Sequence, residues 1–457
     1  MSGCPQGNNR EHKQGTPPCP CKYKAEERKK DMKVIIVGGG WAGSGAAIAA
    51  RNAGAEVTVL ERTDMLLGTG LVGGIMRNNG RFTATEEMIA LGGNEIFETI
   101  DANCRHKNIE FPGHKHASLY DIALIEPAIR NLLVSKGIEV RLQARMKDVE
   151  MDGEKITAVI LDDDEKITGD VFIDATGSAG PMGNCGKYGN GCAMCVLRCP
   201  SYGGRVSLVG KAGVPEKQGK KADGTIGAMS GSCKLFKESL SKEIVDMLNN
   251  TGVAVIPLPE ELRKGEGALA KKACQQYALK EFNENIILLD TGHAKLMTPY
   301  YPLEQLHQVP GFENARYEDP YAGGKGNSMR YMALAPRDDA LKVKGLDNVF
   351  CGGEKAGLLV GHTEAIVTGT LAGHNAVRYA LGQELLVLPE TLTVGDAISY
   401  VRQVMDTEEG MTKKYTFSGS VYFNRMQEQG LYTTDIATIK DKVDKTGLTG
   451  VFSKKLA

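Results

Sequence analysis

The feature that most constrains the fold is a glycine-rich turn between an apolar segment and an alanine-rich one. Residues 34–37 read Val-Ile-Ile-Val, and Gly38, Gly40 and Gly43 follow with the spacing Gly-x-Gly-x-x-Gly. A second apolar segment comes after the alanine-rich stretch and ends before Glu61. A strand, a glycine turn, a helix and a second strand make a βαβ unit, whose helix N-terminus binds the diphosphate of a dinucleotide. The chain is therefore predicted to contain a Rossmann-type domain.

Each glycine of this turn has its own predicted task. Gly38 permits the tight turn, Gly40 lets a diphosphate approach the backbone, and Gly43 lets the helix and the strand pack closely. Glu61 supplies a carboxylate that accepts hydrogen bonds from ribose hydroxyls. The cofactor contacts predicted for this element are Gly38, Gly40, Trp41, Ala42, Gly43, Glu61 and Arg62.

Two further segments identify the dinucleotide as FAD. Residues 173–177, Ile-Asp-Ala-Thr-Gly, end a strand in a turn of small residues, which suits close approach of the backbone to a dinucleotide. Residues 352–354 and 361–364 precede a helix whose N-terminal amides are predicted to face the pyrimidine side of a flavin. For His362 a capping or core position is the alternative. The predicted contacts are Ala175, Thr176, Gly177, Gly353, Glu354, Gly361, His362, Thr363 and Glu364.

A cysteine cluster is the second strong signal. Cys185, Cys192, Cys195 and Cys199 lie in one glycine-rich stretch, with the spacing Cys-x2-Cys-x3-Cys-Pro and another thiol upstream. This spacing is similar to that of the ligands of a cubane iron–sulfur cluster, so these four residues are predicted to bind a [4Fe-4S] cluster. A redox-active thiol pair, a structural zinc site and unliganded cysteines remain the alternatives.

Composition and charge place few limits on function. The 457 residues include 42% hydrophobic and 24% charged residues, as in ordinary globular proteins, and the formal net charge is −1. This charge gives no global electrostatic case for nucleic acid or membrane binding. No apolar run is long enough for a membrane span, and no secretory signal is recognised, so a cytoplasmic protein is expected.

The predicted fold class is α/β, with a Rossmann-type FAD-binding domain of the glutathione-reductase type and an inserted α+β substrate domain. The predicted domains are a polar N-terminal extension over 1–31, an FAD-binding domain over 32–180 and 336–382, an inserted domain with the cysteine cluster over 181–335, and a helical cap over 383–457.

Several segments resemble known families. The first βαβ unit, residues 173–177 and residues 70–74, Gly-Leu-Val-Gly-Gly, are similar to the FAD-dependent oxidoreductases with the glutathione-reductase-type fold. Residues 306–317 and 361–378 resemble the folate-dependent tRNA uracil-5-methyltransferases and the tRNA-modifying flavoproteins of the glucose-inhibited-division type. The resemblance adds Gly70, Leu71, Val72, Gly73 and Met146 to the predicted FAD contacts, with Met146 near the adenine.

The chain also departs from the methyltransferases. They carry a cysteine in a Cys-Ser-Asn-Ser-like segment after the second strand, and the corresponding residues 71–79 contain none. The favoured function is therefore an FAD-dependent oxidoreductase that couples flavin chemistry to an iron–sulfur cluster. The alternatives are an FAD- and methylenetetrahydrofolate-dependent RNA uracil-5-methyltransferase, with RNA as a partner that is not favoured, and an electron-transfer subunit of a larger complex. A small-molecule substrate or redox partner protein is expected, in a homo-oligomer or a complex, and no catalytic residue is assigned.

Overall fold

The computed structural model describes residues 32–177, 201–221, 223–226, 228–229, 233–265, 277–298, 301–318, 329–330 and 332–457. The cysteines at positions 185, 192, 195 and 199 and the extension over 1–31 lie outside these residues. Among the described residues, no helix is long and apolar enough to cross a membrane.

A five-stranded parallel sheet forms the centre of one half of the fold. Its strand order is β19-β10-β1-β2-β6, and all its pairings are parallel. Its central strands read as continuous apolar runs, as expected for a sheet covered on both faces. The strands are β1 Lys33–Val37, β2 Glu56–Leu60, β6 Glu139–Arg141, β10 Val171–Asp174 and β19 Val349–Cys351.

Two long helices pack closely on one another beside this sheet. They are α1, Trp41–Ala53, and α10, His362–Ala380, and both are rich in small residues. A methyl group at Gly369 would lie 2.0 Å from the carbonyl oxygen of Ala42. The helix backbones touch at this point, which explains why the sequence has small residues at this contact. The other helices of this half are α2 Gly70–Gly73, α3 Gly80–Ala90, α4 Asn94–Ala102, α5 Ile125–Ser135 and α6 Leu208–Lys211.

A second, antiparallel sheet has the order β13-β16-β15-β14. Its side chains alternate between two apolar clusters. Ile286 and Leu288 belong to one cluster, whereas Ile287 and Leu289 belong to the other. The elements of this part are β13 Cys233–Leu235, α7 Lys242–Thr251, β14 Val253–Pro257, α8 Glu281–Glu284, β15 Asn285–Asp290, β16 Ala294–Leu296 and α9 Leu303–Leu306, with 3-10 helices over Lys237–Ser239 and Glu260–Leu262.

Smaller sheets complete the described strands. A hairpin turns at Gly153, whose φ of +59° suits glycine. The three-stranded sheets are β3-β5-β4 and β7-β8-β9, and the two-stranded ones are β11-β18 and β12-β17. The strands are β3 Ile75–Met76, β4 Cys104–Phe111, β5 His114–Tyr120, β7 Met146–Asp152, β8 Lys155–Leu161, β9 Lys166–Thr168, β11 Lys217–Gln218, β12 Ala228–Met229, β17 Met329–Arg330 and β18 Ala333–Leu334.

The C-terminal residues are helical and pack on the parallel-sheet half. Val394, Ile398 and Phe452 are buried in the same apolar cluster as the strands of that sheet. Leu208 and Val209 also belong to this cluster, although they lie in the stretch predicted as the inserted domain. The domain bounds therefore stay a prediction. The C-terminal helices are α11 Thr393–Val404, α12 Glu408–Met411, α13 Ser420–Glu428 and α14 Ile436–Lys445.

His374 makes the stability of this core depend on pH. Its ring is buried against Phe452, with the ring centroids 5.4 Å apart, and neither ring nitrogen has a hydrogen-bond partner among the described residues. Burial disfavours the cation and lowers the pKa of His374 to about 4. Below the pKa of the unfolded chain, about 6.5, the unfolded state binds more protons, so stability falls as pH falls towards 4.

We expect His374→Leu to lose this pH dependence. Between pH 7 and pH 5 the free energy of unfolding of the wild type should fall by about 2 kcal/mol more than that of the variant. Urea unfolding at several pH values measures both slopes. Parallel slopes for the two proteins would contradict the assignment of His374 as a buried neutral group.

Candidate functional site

The glycine turn after β1 has the geometry that its sequence predicts. Gly38 has a φ of +105°, and a methyl group there would lie 2.3 Å from the carbonyl oxygen of Ala175. A methyl group at Gly43 would lie 1.9 Å from the carbonyl oxygen of Gly38. Atoms cannot approach this closely, so turn and helix tolerate only glycine at these two positions.

Gly40 differs from these two glycines because there is open space on the side where a side chain would project. A methyl group there would meet nothing within 4 Å, and its φ of −69° and ψ of −174° are open to any residue. Gly40 lines a cleft, and α1 begins at the next residue. A helix N-terminus offers backbone N–H groups and the positive end of the helix dipole to a diphosphate. The open space at Gly40 and the N-terminus of α1 together fit the diphosphate of a dinucleotide.

Glu61 lies beside the same turn and lines the cleft. One carboxylate oxygen accepts a hydrogen bond from Gly39 N at 2.9 Å, and the other accepts from Thr63 N at 3.0 Å. The carboxylate therefore holds the glycine turn in place. Two carboxylate oxygens offer about four acceptor sites, so Glu61 retains capacity for the predicted ribose hydroxyls.

Arginines surround the end of the cleft next to Glu61. Arg62 donates to the carbonyl oxygen of Gly203 at 2.6 Å, and Arg145 donates to that of Gly204 at 2.8 Å. Arg205 also lines the cleft, and so does Met146, as the resemblance implies. Sequence reasoning missed Arg145, since it lies in no recognisable motif. The positive charges of these arginines suit a ligand that carries phosphates.

The second predicted stretch forms one wall of the cleft. Ala175, Thr176 and Gly177 all line it. Asp174, which is fully buried, holds this turn, because its carboxylate accepts from Thr176 N at 3.0 Å and from Val209 N at 3.0 Å.

The third stretch reaches the cleft through the N-terminus of α10. Gly353, Glu354, Gly361 and His362 line the cleft. Tyr120 has one O–H, which it donates to the carbonyl oxygen of Gly70 at 2.6 Å. The Tyr120 oxygen, 3.2 Å from Nδ1 of His362, is therefore the acceptor of a hydrogen bond from that nitrogen. In the neutral ring Nδ1 then carries the proton, and Nε2 is the acceptor.

Glu364 is predicted as a cofactor contact, and the structure places it elsewhere. Its carboxylate is buried and lies 3.2 Å from Nε of Arg81. It also accepts from Thr416 Oγ1 at 2.7 Å and from Phe417 N at 2.8 Å. It thus joins α10 to α3 and to the C-terminal residues. Five other predicted contacts likewise do not line the cleft, namely Gly43, Gly70, Leu71, Val72 and Thr363.

The described cysteines do not form a site with one another. No disulfide joins the described cysteines Cys104, Cys233 and Cys351, and burial raises the pKa of Cys351 to about 12. Across the described ranges, no group of three or more His, Cys, Asp or Glu side chains is arranged to hold a metal ion. The predicted iron–sulfur ligands lie outside those ranges, so this prediction is not tested.

The parallel sheet, the glycine turn at residues 38–43 and the cleft place the protein in the class with a Rossmann-type FAD-binding fold. Matches to family models agree with this fold class. The model of the FAD dependent oxidoreductase family matches residues 33–184, and that of glucose inhibited division protein A matches residues 290–384. These matches confirm the predicted fold class and the predicted resemblance to FAD-dependent oxidoreductases and tRNA-modifying flavoproteins.

Individual relatives match this chain only over short stretches. The methylenetetrahydrofolate–tRNA-(uracil-5-)-methyltransferase TrmFO of Streptococcus sanguinis is 33% identical over 93 residues, 20% of each chain. The same enzyme of Lactobacillus delbrueckii subsp. bulgaricus is 37% identical over 97 residues, also 20% of each chain. The FAD-dependent monooxygenase ntnJ of a Nectria species is 28% identical over 153 residues, 32% of this chain and 36% of that one. The match thus spans about a fifth of the length of the curated methyltransferases.

The fold as a whole is similar to a solved structure. GidA of Aquifex aeolicus superimposes with a TM-score of 0.60 at 16% identity, covering 92% of this chain and 74% of that one. At this identity the likeness concerns the fold alone.

Proposed function

We propose that the protein binds one FAD in this cleft and uses it to oxidise or reduce a small-molecule substrate. The observation that supports this most directly is that three stretches far apart in the chain, near residues 38–42, 175–177 and 353–362, line one cleft. When bound, FAD supplies the donor or acceptor of an electron pair, and the protein supplies position and electrostatics.

The residues of the cleft divide this work between two ends. At one end, the N-terminus of α1 and the side chain of Glu61 bind the diphosphate and a ribose, and the nearby arginines add positive charge. At the other end, the N-terminus of α10 stabilises negative charge on the flavin ring. His362 holds a proton on Nδ1 against Tyr120, which leaves Nε2 as an acceptor.

Flavin analysis of the purified full chain tests this proposal. We expect about one FAD per chain, released by denaturation and identified by chromatography, and bleaching of its visible bands by dithionite. Reduction by NADH or NADPH, with small acceptors reoxidising the flavin, would distinguish an enzyme from an electron-transfer subunit. A colourless protein that takes up no added FAD would rule out the proposed function.

We further propose that Cys185, Cys192, Cys195 and Cys199 bind a [4Fe-4S] cluster that exchanges electrons with the flavin. The spacing supports this, and so does the position of these cysteines in the chain soon after Gly177, which lines the cleft. The thiolates would hold the iron.

Cys195→Ser is expected to lower the iron and sulfide content of protein purified without oxygen by more than about half, since a cubane cluster needs four ligands. Cys104→Ser is the matched control, because that thiol is free in a different part of the chain. Wild-type protein that contains zinc instead, or no metal, would refute the cluster and leave the flavin proposal standing.

RNA modification is the second candidate function. The similarity of residues 290–384 to glucose inhibited division protein A favours it, as do the methyltransferase relatives. The missing cysteine in residues 71–79 weighs against methyl transfer to uracil. Transfer of a labelled carbon from methylenetetrahydrofolate to tRNA would establish this function. If the protein contains a redox-active flavin but transfers no labelled carbon to tRNA, the oxidoreductase function is favoured.

A further inference from the structure

Two arginines on adjoining walls of the cleft hold one glycine turn between them. Arg62 lies two residues after β2, and its Nη1 donates to the carbonyl oxygen of Gly203. Arg145 directly precedes β7, and its Nε donates to the carbonyl oxygen of Gly204. Both arginines line the cleft. Two guanidinium groups that are distant in sequence therefore bind two consecutive peptide groups.

Residues 203–206 form a strap along the edge of the cleft. They belong to no helix or strand, and Arg205 and Val206 line the cleft. The C-terminal end of the strap is fixed by the core, because Val206 is buried in the apolar cluster of the parallel sheet. At the other end, the bonds from the two arginines hold the strap, and hydrogen bonds from charged donors are the stronger ones in proteins.

Gly203 allows the strap to approach one of these arginines closely. Its φ is +76°, and a methyl group there would lie 2.7 Å from Nε of Arg145. A side chain at this position would displace the guanidinium group and strain the backbone. A glycine is therefore required where the strap meets Arg145.

The strap lies at the end of the cleft beyond Glu61. Two walls meet there, because Ala144 N donates to the carbonyl oxygen of Glu61 at 2.9 Å. Ala144, Met146 and Val206 are buried and give this end apolar surfaces that line the cleft. The diphosphate is assigned above to the N-terminus of α1 and a ribose to Glu61, so the part of FAD that reaches this end is the adenine. Apolar walls suit such a flat ring system.

We propose that the strap covers the adenosine of FAD and makes the cleft selective for FAD over FMN. This inference rests on the proposed function, since it assigns the selectivity of the same cleft. Arg62 and Arg145 are positioning residues in this scheme, because they act on the cofactor through the strap. FMN ends at its phosphate and has no adenosine for the strap to cover.

Position, rather than charge, is what separates the two flavins. A positive charge at this end attracts the phosphate of FMN as well as the diphosphate of FAD. The charge of Arg145 is also compensated, since its Nη1 lies 2.7 Å from the carboxylate of Asp162. A role through the strap therefore predicts an effect on FAD alone.

The test compares the affinities of FAD and FMN for the flavin-free full chain. Trp41 is the one tryptophan of the sequence and lines the cleft, so quenching of its fluorescence reports the binding of either flavin. Calorimetry provides an independent measurement. We expect the wild type to bind FAD about 10-fold or more tightly than FMN, since burial of the adenine adds favourable free energy.

Arg145→Met is expected to weaken FAD binding about 10-fold or more and to keep FMN binding within about 3-fold of wild type. Gly203→Ala should have the same effect although it removes no charge, because its methyl group displaces the guanidinium group of Arg145. Arg141→Met is the matched control, since Arg141 is bonded to Glu165 and does not line the cleft, and it should change neither affinity. Thermal unfolding of flavin-free protein checks each fold, and Arg62→Met is the second arginine variant should Arg145→Met fail to fold.

Three results would overturn the inference. They are equal affinities of the wild type for FAD and FMN, equal losses for both flavins in the arginine variant, or an unchanged FAD affinity in Gly203→Ala. The outcome also separates this inference from the proposed function. Wild-type protein that binds FMN as tightly as FAD, in a form that dithionite bleaches, refutes the role of the strap alone, whereas protein that binds neither flavin refutes both.

Discussion

Gly40→Ala is expected to lower the affinity for FAD by about one to two orders of magnitude and to leave the flavin-free fold intact. The fold tolerates the change because the methyl group meets nothing within 4 Å and the backbone angles suit alanine. That open space belongs to the cleft, so the methyl group enters the volume predicted for the diphosphate. An extra methyl in a packed site costs about 1–3 kcal/mol, up to about 100-fold in affinity. Fluorescence titration of flavin-free protein with FAD measures this loss, and thermal unfolding checks the fold.

Two neighbouring substitutions serve as controls. Gly43→Ala should fail already at folding, since its methyl group would lie 1.9 Å from the carbonyl oxygen of Gly38, and we expect a loss of more than about 3 kcal/mol in the free energy of unfolding. Gly265→Ala, with nothing within 4 Å and no contact with the cleft, should match wild type in both measurements. If Gly40→Ala binds FAD as the wild type does, the diphosphate does not approach the α1 N-terminus.

The elements that the sequence predicts correctly depend on neighbouring residues. The unit β1–α1–β2 follows from one glycine pattern, because turn, helix start and strand are local properties. The amphipathic pattern of residues 121–136 also predicts a helix that ends at Gly137. The helix observed there is α5, Ile125–Ser135, and Gly137 has a φ of +72°. Most of the contacts predicted from such signals and from the family resemblance line the cleft, but they make up fewer than half of the residues that line it.

What the sequence could not predict depends on contacts between distant segments. Lys295 lines the cleft because β16 pairs with β15 and β13 and turns one face towards the cleft, and no local pattern encodes this packing. Arg145 is likewise placed by a bond to Gly204. Charge and burial identify such residues only once the tertiary structure is known.

Glu364 shows how helix geometry separates two residues of one motif. It follows His362 by two residues, and residues two apart on a helix point roughly 200° away from each other. His362 lines the cleft, whereas the side chain of Glu364 pairs with Arg81. Helical periodicity predicts that these two side chains differ in direction, but it cannot identify the partner of Glu364, which is 283 residues away in the chain.

This buried pair leads to the second large effect. Arg81→Met is expected to lower the free energy of unfolding by about 3–5 kcal/mol, because removing one partner leaves the carboxylate of Glu364 buried without its counter-charge. The bonds to Glu364 from Thr416 and Phe417 remain, but they do not neutralise it. Urea unfolding of flavin-free protein measures the loss without a contribution from the cofactor.

Two further variants separate the buried charge from other causes. The double variant Arg81→Met/Glu364→Leu should regain most of the loss, since apolar residues often replace a buried pair at no net cost. Arg141→Met removes the ion pair between Arg141 and Glu165, whose side chains are 28% and 45% exposed. It should lower the free energy of unfolding far less than Arg81→Met does, because water screens this pair. If the double variant is as unstable as Arg81→Met alone, the instability comes from lost packing of the arginine side chain. Recovery in the double variant would instead show that the uncompensated charge of Glu364 causes the loss.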